Sequence, residues 1–349
     1  MHVDVAEAQA GSYSFFDYFD QVEIIPLEGA CAISNGQYSD PQYLSVPNVG
    51  FFILDERSGS LYAFNEAGKY RGEIARRGRA ESEFAMAYGI RTDDVKESVT
   101  VLDPRGNFYR YSYSGRFLGK EAIDGVVAVH NFCETEAGTL LFSLSDEDHL
   151  RLWRDGRCKR IDYEPSLPLK HQFNASNPFL SIDGSVYYYE GLTGTVYAIE
   201  NEACRTRAVY SWDFGRWGVN LKKLEDPGYD FLESLKNEFY DCVYPFLNMF
   251  CVRRVLVADV LYHNQEHSLF YDLKNGKSCL ISQFEEGVRF KAQVEKDGVF
   301  YLLVEADSLS DFVNSNVLDE NNLAIYESIR GSQVNPVILK YSGFHPVWR

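Results

Sequence analysis

Two histidines and a glutamate stand at the spacing of a zinc-peptidase signature. His263, Glu266 and His267 lie in the run HNQEH, which spells HxxEH. On a helix this spacing places both histidines on one face to bind zinc, while the glutamate activates water. Here the run lies between the strand patterns VLVADVLY and SLFYDL. We therefore expect a hairpin turn at this position, and we assign no metal-binding residue.

A basic run formed by Arg76, Arg77 and Arg79 could hold an anionic ligand through bidentate guanidinium contacts. Glu81 and Glu83 follow within a few residues, so a loop neutralised by its own carboxylates is the favoured interpretation. The sequence contains no GxSxG elbow, P-loop or GxGxxG motif. We accordingly assign no catalytic residue and expect no cofactor.

The elements that must position these residues repeat one plan of strand, turn, strand, turn, strand. The clearest pair is GFFILDERSGSLYAFNEAGKYRGEIARRG (50–78) and SVTVLDPRGNFYRYSYSGRFLGKEAI (98–123). The plan recurs at 138–162, 184–209 and 254–284, and in an interrupted copy that begins at Gly298 and resumes at Asn335. A blade-sized repeat of this kind predicts an all-β fold, a six-bladed β-propeller, with residues 1–349 as one domain.

Two of the repeats are enlarged by about 25 residues, and both enlargements carry helical patterns. In the first, about 216–250, Asp226 and Pro227 are a helix start signal. In the second, about 305–334, Ser310 is placed to cap a short helix. We predict two short helical insertions that decorate the propeller.

The strand pattern VEIIPL at 22–27 precedes the first complete repeat. We expect it to pair beside VILKY of the last repeat, because this pairing closes the ring and removes exposed sheet edges.

Composition excludes several classes of protein. The formal net charge of −17 repels phosphate backbones and anionic lipid surfaces, so we expect no nucleic-acid partner. The seven cysteines are scattered without a CxxC pair, which indicates small buried hydrophobic residues and not a zinc ribbon. No apolar run reaches the roughly 18 residues that a membrane span requires. The start of the sequence also lacks the basic and then apolar plan of a signal peptide.

Residues 50–123 resemble the NHL-like six-bladed β-propellers. A large group of these from Bacteroidetes-type bacteria has the pattern LYxFDxxGKFxxxIGxxGxGPGEF, which stands here as LYAFNEAGKYRGEIARRGRAESEF. Asp55 in ILD and Asp103 in VLD match the position before the repeat turn, and VEIIPLE resembles the first strand of the group. Because GRAESEF replaces GxGPGEF, we expect a different turn in that loop.

The resemblance implies a location and no chemistry. Members of the group are commonly exported, often as lipoproteins, and mostly lack an assigned activity. We therefore expect a periplasmic or cell-surface protein whose signal segment is absent from this sequence, with a cytoplasmic location as the alternative.

In a propeller the innermost strand of each blade lines the central channel, and the residues just before it ring one mouth. Aligning the inner-strand starts places at this mouth Gln42, Tyr43, Tyr88, His130, Asn131, Pro178, Asn248 and Arg289. A mixture of Tyr, His, Asn and Arg suits a polar ligand or a peptide loop. The alternative is a funnel filled with water and internal hydrogen bonds. The candidate ligand-binding residues are Tyr43, Tyr88, His130, Asn131, Asn248 and Arg289, together with Arg76 and Arg77.

An aromatic group near the first insertion is a second candidate surface; it comprises Trp212, Trp217, Tyr229, Tyr240 and Tyr244. If these side chains are exposed, they form an interface. If the insertion folds down on them, they form a satellite core, which is the favoured interpretation.

Three functions follow from this organisation. The first is a non-catalytic binding or scaffold propeller that recognises a protein or glycan through the mouth and the insertions. The second is a hydrolase or lyase with a metal in the channel, which requires acidic and histidine ligands converging there. The third is a structural module of a larger complex, which predicts an exposed apolar patch near the insertions. The sequence favours the first, because His130 is the one plausible ligand among the inner-strand starts.

Overall fold

A computed structural model shows the chain as a six-bladed β-propeller, which confirms the predicted fold class. The structure describes residues 1–29, 33, 43–55, 57–126, 128–143, 149–164, 177–224, 237–329 and 335–348. The chain divides into two compact units. The two-blade unit comprises 1–18, 159–291 and 345–349, and the four-blade unit comprises 19–158 and 292–344.

In chain order the strands are β1 (Gln21–Pro26), β2 (Tyr43–Ser45), β3 (Phe51–Asp55), β4 (Ser60–Phe64), β5 (Tyr70–Arg76), β6 (Gly89–Asp93), β7 (Ser98–Leu102), β8 (Asn107–Ser112), β9 (Phe117–Ala122), β10 (Val129–Thr135), β11 (Gly138–Ser143), β12 (Leu150–Arg154), β13 (Arg157–Arg160), β14 (Phe179–Ile182), β15 (Ser185–Tyr189), β16 (Val196–Glu200), β17 (Arg205–Tyr210), β18 (Tyr244–Val252), β19 (Val255–Tyr262), β20 (Gln265–Asp272), β21 (Ser278–Ile281), β22 (Val294–Lys296), β23 (Val299–Val304) and β24 (Val337–Ser342). The helices are α1 (Val5–Gln9), α2 (Leu221–Leu224) and α3 (Glu320–Ile329), with short 3-10 helices at Phe15–Asp17, Gly215–Trp217 and Ala306–Asp311.

Four sheets belong to the four-blade unit, with strand orders β2-β3-β4-β5, β6-β7-β8-β9, β10-β11-β12-β13 and β1-β24-β23-β22. In the last sheet, β1 pairs antiparallel with β24 from Gln21 opposite Ser342 to Pro26 opposite Val337. This pairing places a strand from near the start of the chain on the outer edge of the sheet formed by its last three strands. Buried apolar side chains such as Phe52, Val99 and Tyr111 pack between neighbouring sheets of this unit.

The turns between the second and third strands of two repeats are capped by the aspartates that end the patterns ILD and VLD. Asp103 is buried, and its carboxylate accepts hydrogen bonds from the backbone N–H groups of Arg105 and Asn107 at 2.9 Å each. Asp55 accepts from the N–H of Arg57 at 3.1 Å. A short acceptor that bonds the backbone two residues on is the ordinary reason for Asp at such a turn. These aspartates are therefore turn residues of the repeat.

The two-blade unit contains the sheets β14-β15-β16-β17 and β18-β19-β20-β21. Its core lies between these sheets and includes Leu180, Leu256 and Leu269. The N-terminal segment, residues 1–18, packs on this core through the buried side chains of Val3 and Val5.

The two insertions differ from the predicted helices. In the first, Asp226 and Pro227 lie outside the described residues, and the described part contains α2 and a 3-10 turn. In the second, the cap prediction is wrong, because Ser310 lies inside the 3-10 helix Ala306–Asp311. The α-helix of this insertion is α3, and Asp319 just before it accepts a hydrogen bond from the N–H of Asn322 at 2.8 Å.

The HxxEH run forms the predicted hairpin. β19 and β20 pair through Tyr262 opposite Gln265, so that His263 and Asn264 are the two turn residues. Their φ angles of 51° and 57° are those of a type I′ turn. The two histidines of the run therefore lie on a turn and a strand, and not on one face of a helix.

An ion pair between the partly buried side chains of Lys296 and Asp94 joins three sheets of the four-blade unit. Asp94 accepts hydrogen bonds from Lys296 Nζ at 2.9 Å, the N–H of Asn48 at 3.0 Å and the hydroxyl of Tyr113 at 2.9 Å. We expect Asp94→Ala to lower the free energy of unfolding by about 1–2 kcal/mol, because three donors lose one charged acceptor. Chemical denaturation measures this loss. The control Glu121→Ala removes an exposed surface ion pair and should cost well under 1 kcal/mol; an equal loss for both variants would contradict the prediction.

Candidate ligand-binding site

Tyr88 and His130 form a stacked pair in the four-blade unit. Tyr88 directly precedes β6, and His130 is the second residue of β10, so each ring stands at the start of an inner strand. The ring centroids are 4.8 Å apart and the ring planes differ by 17°. Both side chains are half-buried. The structure thus brings together two residues that the repeat alignment placed in neighbouring blades.

Arg91 and Asn131 hold the strands beneath this pair. Arg91 Nη2 donates to Asn131 Oδ1 at 2.7 Å, and its Nε donates to the carbonyl of Phe132 at 3.1 Å. Asn131 is buried, and its Oδ1 also accepts from the N–H of Phe132 at 2.8 Å. The guanidinium lies 5.7 Å from the ring centroid of Phe132. Asn131 therefore acts as a support between the inner strands β6 and β10.

A β-bulge orients His130. The pairing of β10 with β11 shifts between Val129, which lies opposite Ser143, and Asn131, which lies opposite Phe142. Such an irregularity turns a side chain away from the regular alternation of a strand. Burial also lowers the pKa of His130, so the imidazole is neutral at pH 7 and presents one donor and one acceptor.

Asn248 lies in a second irregular inner strand, in the two-blade unit. Between Pro245 opposite Val260 and Met249 opposite Ala258, the strand β18 carries three residues opposite Asp259 alone. Asn248 Nδ2 lies 3.3 Å from Asp259 Oδ2. Burial raises the pKa of Asp259 to about 7, against the opposing effect of Lys291. The charge of this carboxyl is therefore expected to change near neutral pH.

Arg289 is exposed and lies on the segment that follows β21. Burial is the main cause that lowers the pKa of His267, and the charge of Arg289 acts in the same direction. Two residues further on, Lys291 Nζ contacts the carboxylate of Glu266 at 2.9 and 3.0 Å. Lys291 and Glu266 therefore form an ion pair on the same blade as Asn248.

Arg76 and Arg77 have separate partners. Arg76 Nε contacts Glu83 Oε1 at 3.0 Å, and Glu83 also accepts from the N–H groups of Arg79 and Ala80. Arg77 donates to the carbonyl of Arg57 at 2.9 Å. These contacts are those of a loop in which a carboxylate neutralises one of the guanidinium groups, and a ligand role for Arg76 and Arg77 stays a prediction.

The remaining predicted residues contribute less. Gln42 and Tyr229 lie outside the described residues, and Tyr43 is described as the first residue of β2. Of the aromatic group near the first insertion, Trp212 and Tyr244 are buried, while Tyr240 is 46% exposed. The described members thus form mainly a core, with one ring at the surface.

Sequence reasoning missed Arg91 and Asp259. Each lies within a strand, where the repeat pattern alone predicts only the regular alternation of side chains between the two faces of the sheet. Among the described residues, no group of three or more His, Cys, Asp and Glu side chains converges as metal ligands would. The described helices include none that is both long and apolar enough to cross a membrane.

The fold and the half-buried aromatic pair define the class of this protein, a six-bladed β-propeller with polar and aromatic side chains at the starts of its inner strands. The chain belongs to the family described as a domain of unknown function, DUF4934, whose profile matches residues 2–342. This match leaves the NHL-like resemblance a prediction. No curated protein sequence matches the chain.

Two solved structures from Bacteroides are similar in fold. The first is named "Putative exported protein" of Bacteroides fragilis NCTC 9343; it has a TM-score of 0.70 and 16% sequence identity, covering 92% of this chain and 94% of that one. The second is a member of the DUF4221 family from Bacteroides vulgatus ATCC 8482, with a TM-score of 0.55 and 10% identity over 93% of this chain and 96% of that one. At these identities the similarity concerns the fold alone.

Proposed function

We propose that this propeller is a non-catalytic binding module that takes a protein or glycan partner on the Tyr88–His130 pair. The observation that carries the proposal is the geometry of the pair, in which two half-buried rings stack on each other next to inner strands that the Arg91–Asn131 hydrogen bond joins. Rings held in place before binding lose little conformational entropy when a partner docks. The tyrosine hydroxyl and the neutral imidazole supply hydrogen-bond donors and acceptors for a polar ligand.

The net charge of the chain restricts the classes of ligand that are expected to bind. A formal net charge of −17 disfavours anionic ligands and favours neutral or cationic ones. A periplasmic or cell-surface location belongs to the same proposal. It is supported by the name of the Bacteroides fragilis protein of similar fold, which describes that protein as exported.

The double variant Tyr88→Ala/His130→Ala is expected to weaken binding at least about tenfold, because removal of a central aromatic anchor costs more than about 1.4 kcal/mol. The measurement is binding of the purified protein to a glycan array and to envelope proteins immobilised from the same cells. A matched control exists in Tyr240→Ala/His263→Ala, which removes another Tyr–His stack with a centroid distance of 4.8 Å. Equal loss in both double variants, or no loss in the first, would count against the proposal.

The alternative function is an enzyme, a hydrolase or lyase with a metal in the channel, and one observation favours testing it. Asp259 has a pKa raised by burial to about 7, which is the range of a general acid or base at neutral pH. Elemental analysis of the purified protein for calcium and zinc, followed by a thermal shift on chelation, separates the two functions. Stoichiometric metal whose removal lowers the melting temperature would favour the enzyme.

A further inference from the structure

A pocket of about 330 Å³ lies within the two-blade unit, between the N-terminal segment and the blade formed by β18–β21. Residues 9–13 form one wall, His267 of β20 contributes a second, and residues 280–285 at the end of β21 complete the lining. All of these residues are distinct from the Tyr88–His130 pair. The pocket therefore stands apart from the proposed function.

Close backbone and side-chain contacts hold this pocket in shape. The carbonyl of Tyr13 accepts a hydrogen bond from the N–H of Glu285 at 2.9 Å, which fixes the N-terminal segment to the residues that follow β21. Tyr13 folds over Gly11, where an added Cβ would lie 2.4 Å from Tyr13 Cζ and 2.5 Å from its hydroxyl oxygen. A side chain at residue 11 would therefore have to displace the ring of Tyr13.

His267 supplies a hydrogen-bond acceptor to the pocket. The residue is only 7% exposed, and its Nδ1 lies 3.0 Å from the carbonyl oxygen of Gln265. Because a carbonyl only accepts, Nδ1 carries the proton and Nε2 carries a lone pair. Within the described part of the chain, Nε2 makes no hydrogen bond. Burial lowers the pKa of His267, which keeps the ring neutral.

The rest of the lining sets the chemistry of a ligand. Hydroxyl and amide side chains such as those of Ser282 and Gln9 line the pocket together with the apolar side chains of Leu280 and Phe284. The carboxylate of Glu285 and the net charge of −17 oppose an anion. A molecule with several hydroxyl groups and an apolar face matches both kinds of surface.

We propose that this pocket binds an uncharged, sugar-like polyol, and that one hydroxyl group of the ligand donates a hydrogen bond to Nε2 of His267. A ligand that covers Nε2 removes it from water, so a ligand that donates a hydrogen bond there gains affinity over one that cannot. The neutral ring selects a donor hydroxyl over a carboxylate, which would meet the lone pair of Nε2 with a lone pair of its own.

Titration calorimetry with glucose, galactose, mannose, xylose and glucuronate tests the proposal. At least one neutral sugar should bind saturably, with glucuronate at least about tenfold weaker. His267→Phe keeps the size of the ring and removes the acceptor, so it should weaken binding about tenfold or more. His267→Gln keeps an acceptor near the position of Nε2 and should retain most of the affinity. Ser282→Trp, a change at an exposed rim position, should block the pocket.

The control is His263→Phe, a change of the same kind on the adjacent turn outside the pocket, and it should leave sugar binding unaltered. Circular dichroism and melting curves verify that each variant folds. Absence of binding by every neutral sugar of the panel would overturn the proposal. So would tighter binding of glucuronate than of any neutral sugar, or equal affinity of the wild type and the folded His267→Phe and Ser282→Trp variants.

Discussion

Replacing Glu190 with leucine is expected to lower the free energy of unfolding by about 3 kcal/mol. Glu190 follows β15 and is 1% exposed. Its carboxylate accepts hydrogen bonds from the hydroxyl groups of Tyr163, of Tyr197 at 3.2 Å and of Thr193 at 2.7 Å. Leucine fills the space but offers no acceptor, so these hydroxyl groups lose their charged partner inside the blade.

The measurement is the denaturant midpoint, at constant slope, of the wild type and the variants. Glu190→Gln keeps one acceptor oxygen and loses the charge, so its loss should be about half as large. The control Glu200→Leu removes a carboxylate that pairs with Arg205 and Arg207 on the surface, and it should be much less destabilising than Glu190→Leu. If Glu190→Leu were no more destabilising than Glu200→Leu, the polar cluster would not contribute to stability.

The repeats made the fold predictable because their signal is local. Each blade repeats a buried strand, a turn with Asp or Gly, and a second strand, and the turn chemistry acts within a few residues, as at Asp103. The hairpin at His263 was predictable for the same reason, since strand patterns on both sides override a motif that needs a helix. Fold class thus follows from many short-range preferences that agree with one another.

The helical insertions and the candidate site were harder to predict from the sequence. Ser310 carried a cap signal, yet the helix of that insertion begins after Asp319, because a cap bonds only where packing holds the following turn. Tyr88 and His130 were placed by counting from the repeat, which works where inner strands start in register. Arg91 and Asp259 were missed, since their roles depend on contacts made across strands.

Irregular pairing explains why Asp259 in particular was missed. A bulge is set by how two strands meet and leaves no reliable mark in either sequence alone. In β18 three residues lie opposite Asp259, and this places a carboxyl where regular alternation would give an ordinary strand residue. The position of Asp259 is thereby found only from the pairing of β18 and β19.

Asp259→Asn is expected to make the protein more stable than the wild type above about pH 6, by about 2–3 kcal/mol near pH 8. Burial raises the pKa of Asp259 from 3.8 to about 7 in the folded chain, with Glu266 acting in the same direction and Lys291 against it. Below pH 3.8 the carboxyl is protonated in both states, and its burial costs no ionisation energy. Each unit of pKa shift corresponds to about 1.4 kcal/mol, and partial access to water reduces the total.

The sign of the effect follows from proton binding. Between pH 3.8 and about 7 the unfolded chain releases the proton while the folded chain retains it, so rising pH favours unfolding. Asparagine has no proton to release, and its side-chain carbonyl oxygen can still accept the hydrogen bond from Asn248 Nδ2. The difference in unfolding free energy between variant and wild type should therefore grow as pH rises from about 4.5 to 7.5 and then level off.

Urea denaturation at a series of pH values measures this difference, because every other titrating group is shared by the two proteins and cancels. The control Asp155→Asn changes a carboxylate that is 87% exposed and should give no pH-dependent difference. A flat difference for Asp259→Asn would show that the carboxyl is ionised in the folded protein throughout, and it would also remove the observation that favours testing an acid–base role. A rising difference would establish a carboxyl that holds its proton near neutral pH, which is the property that such a role requires.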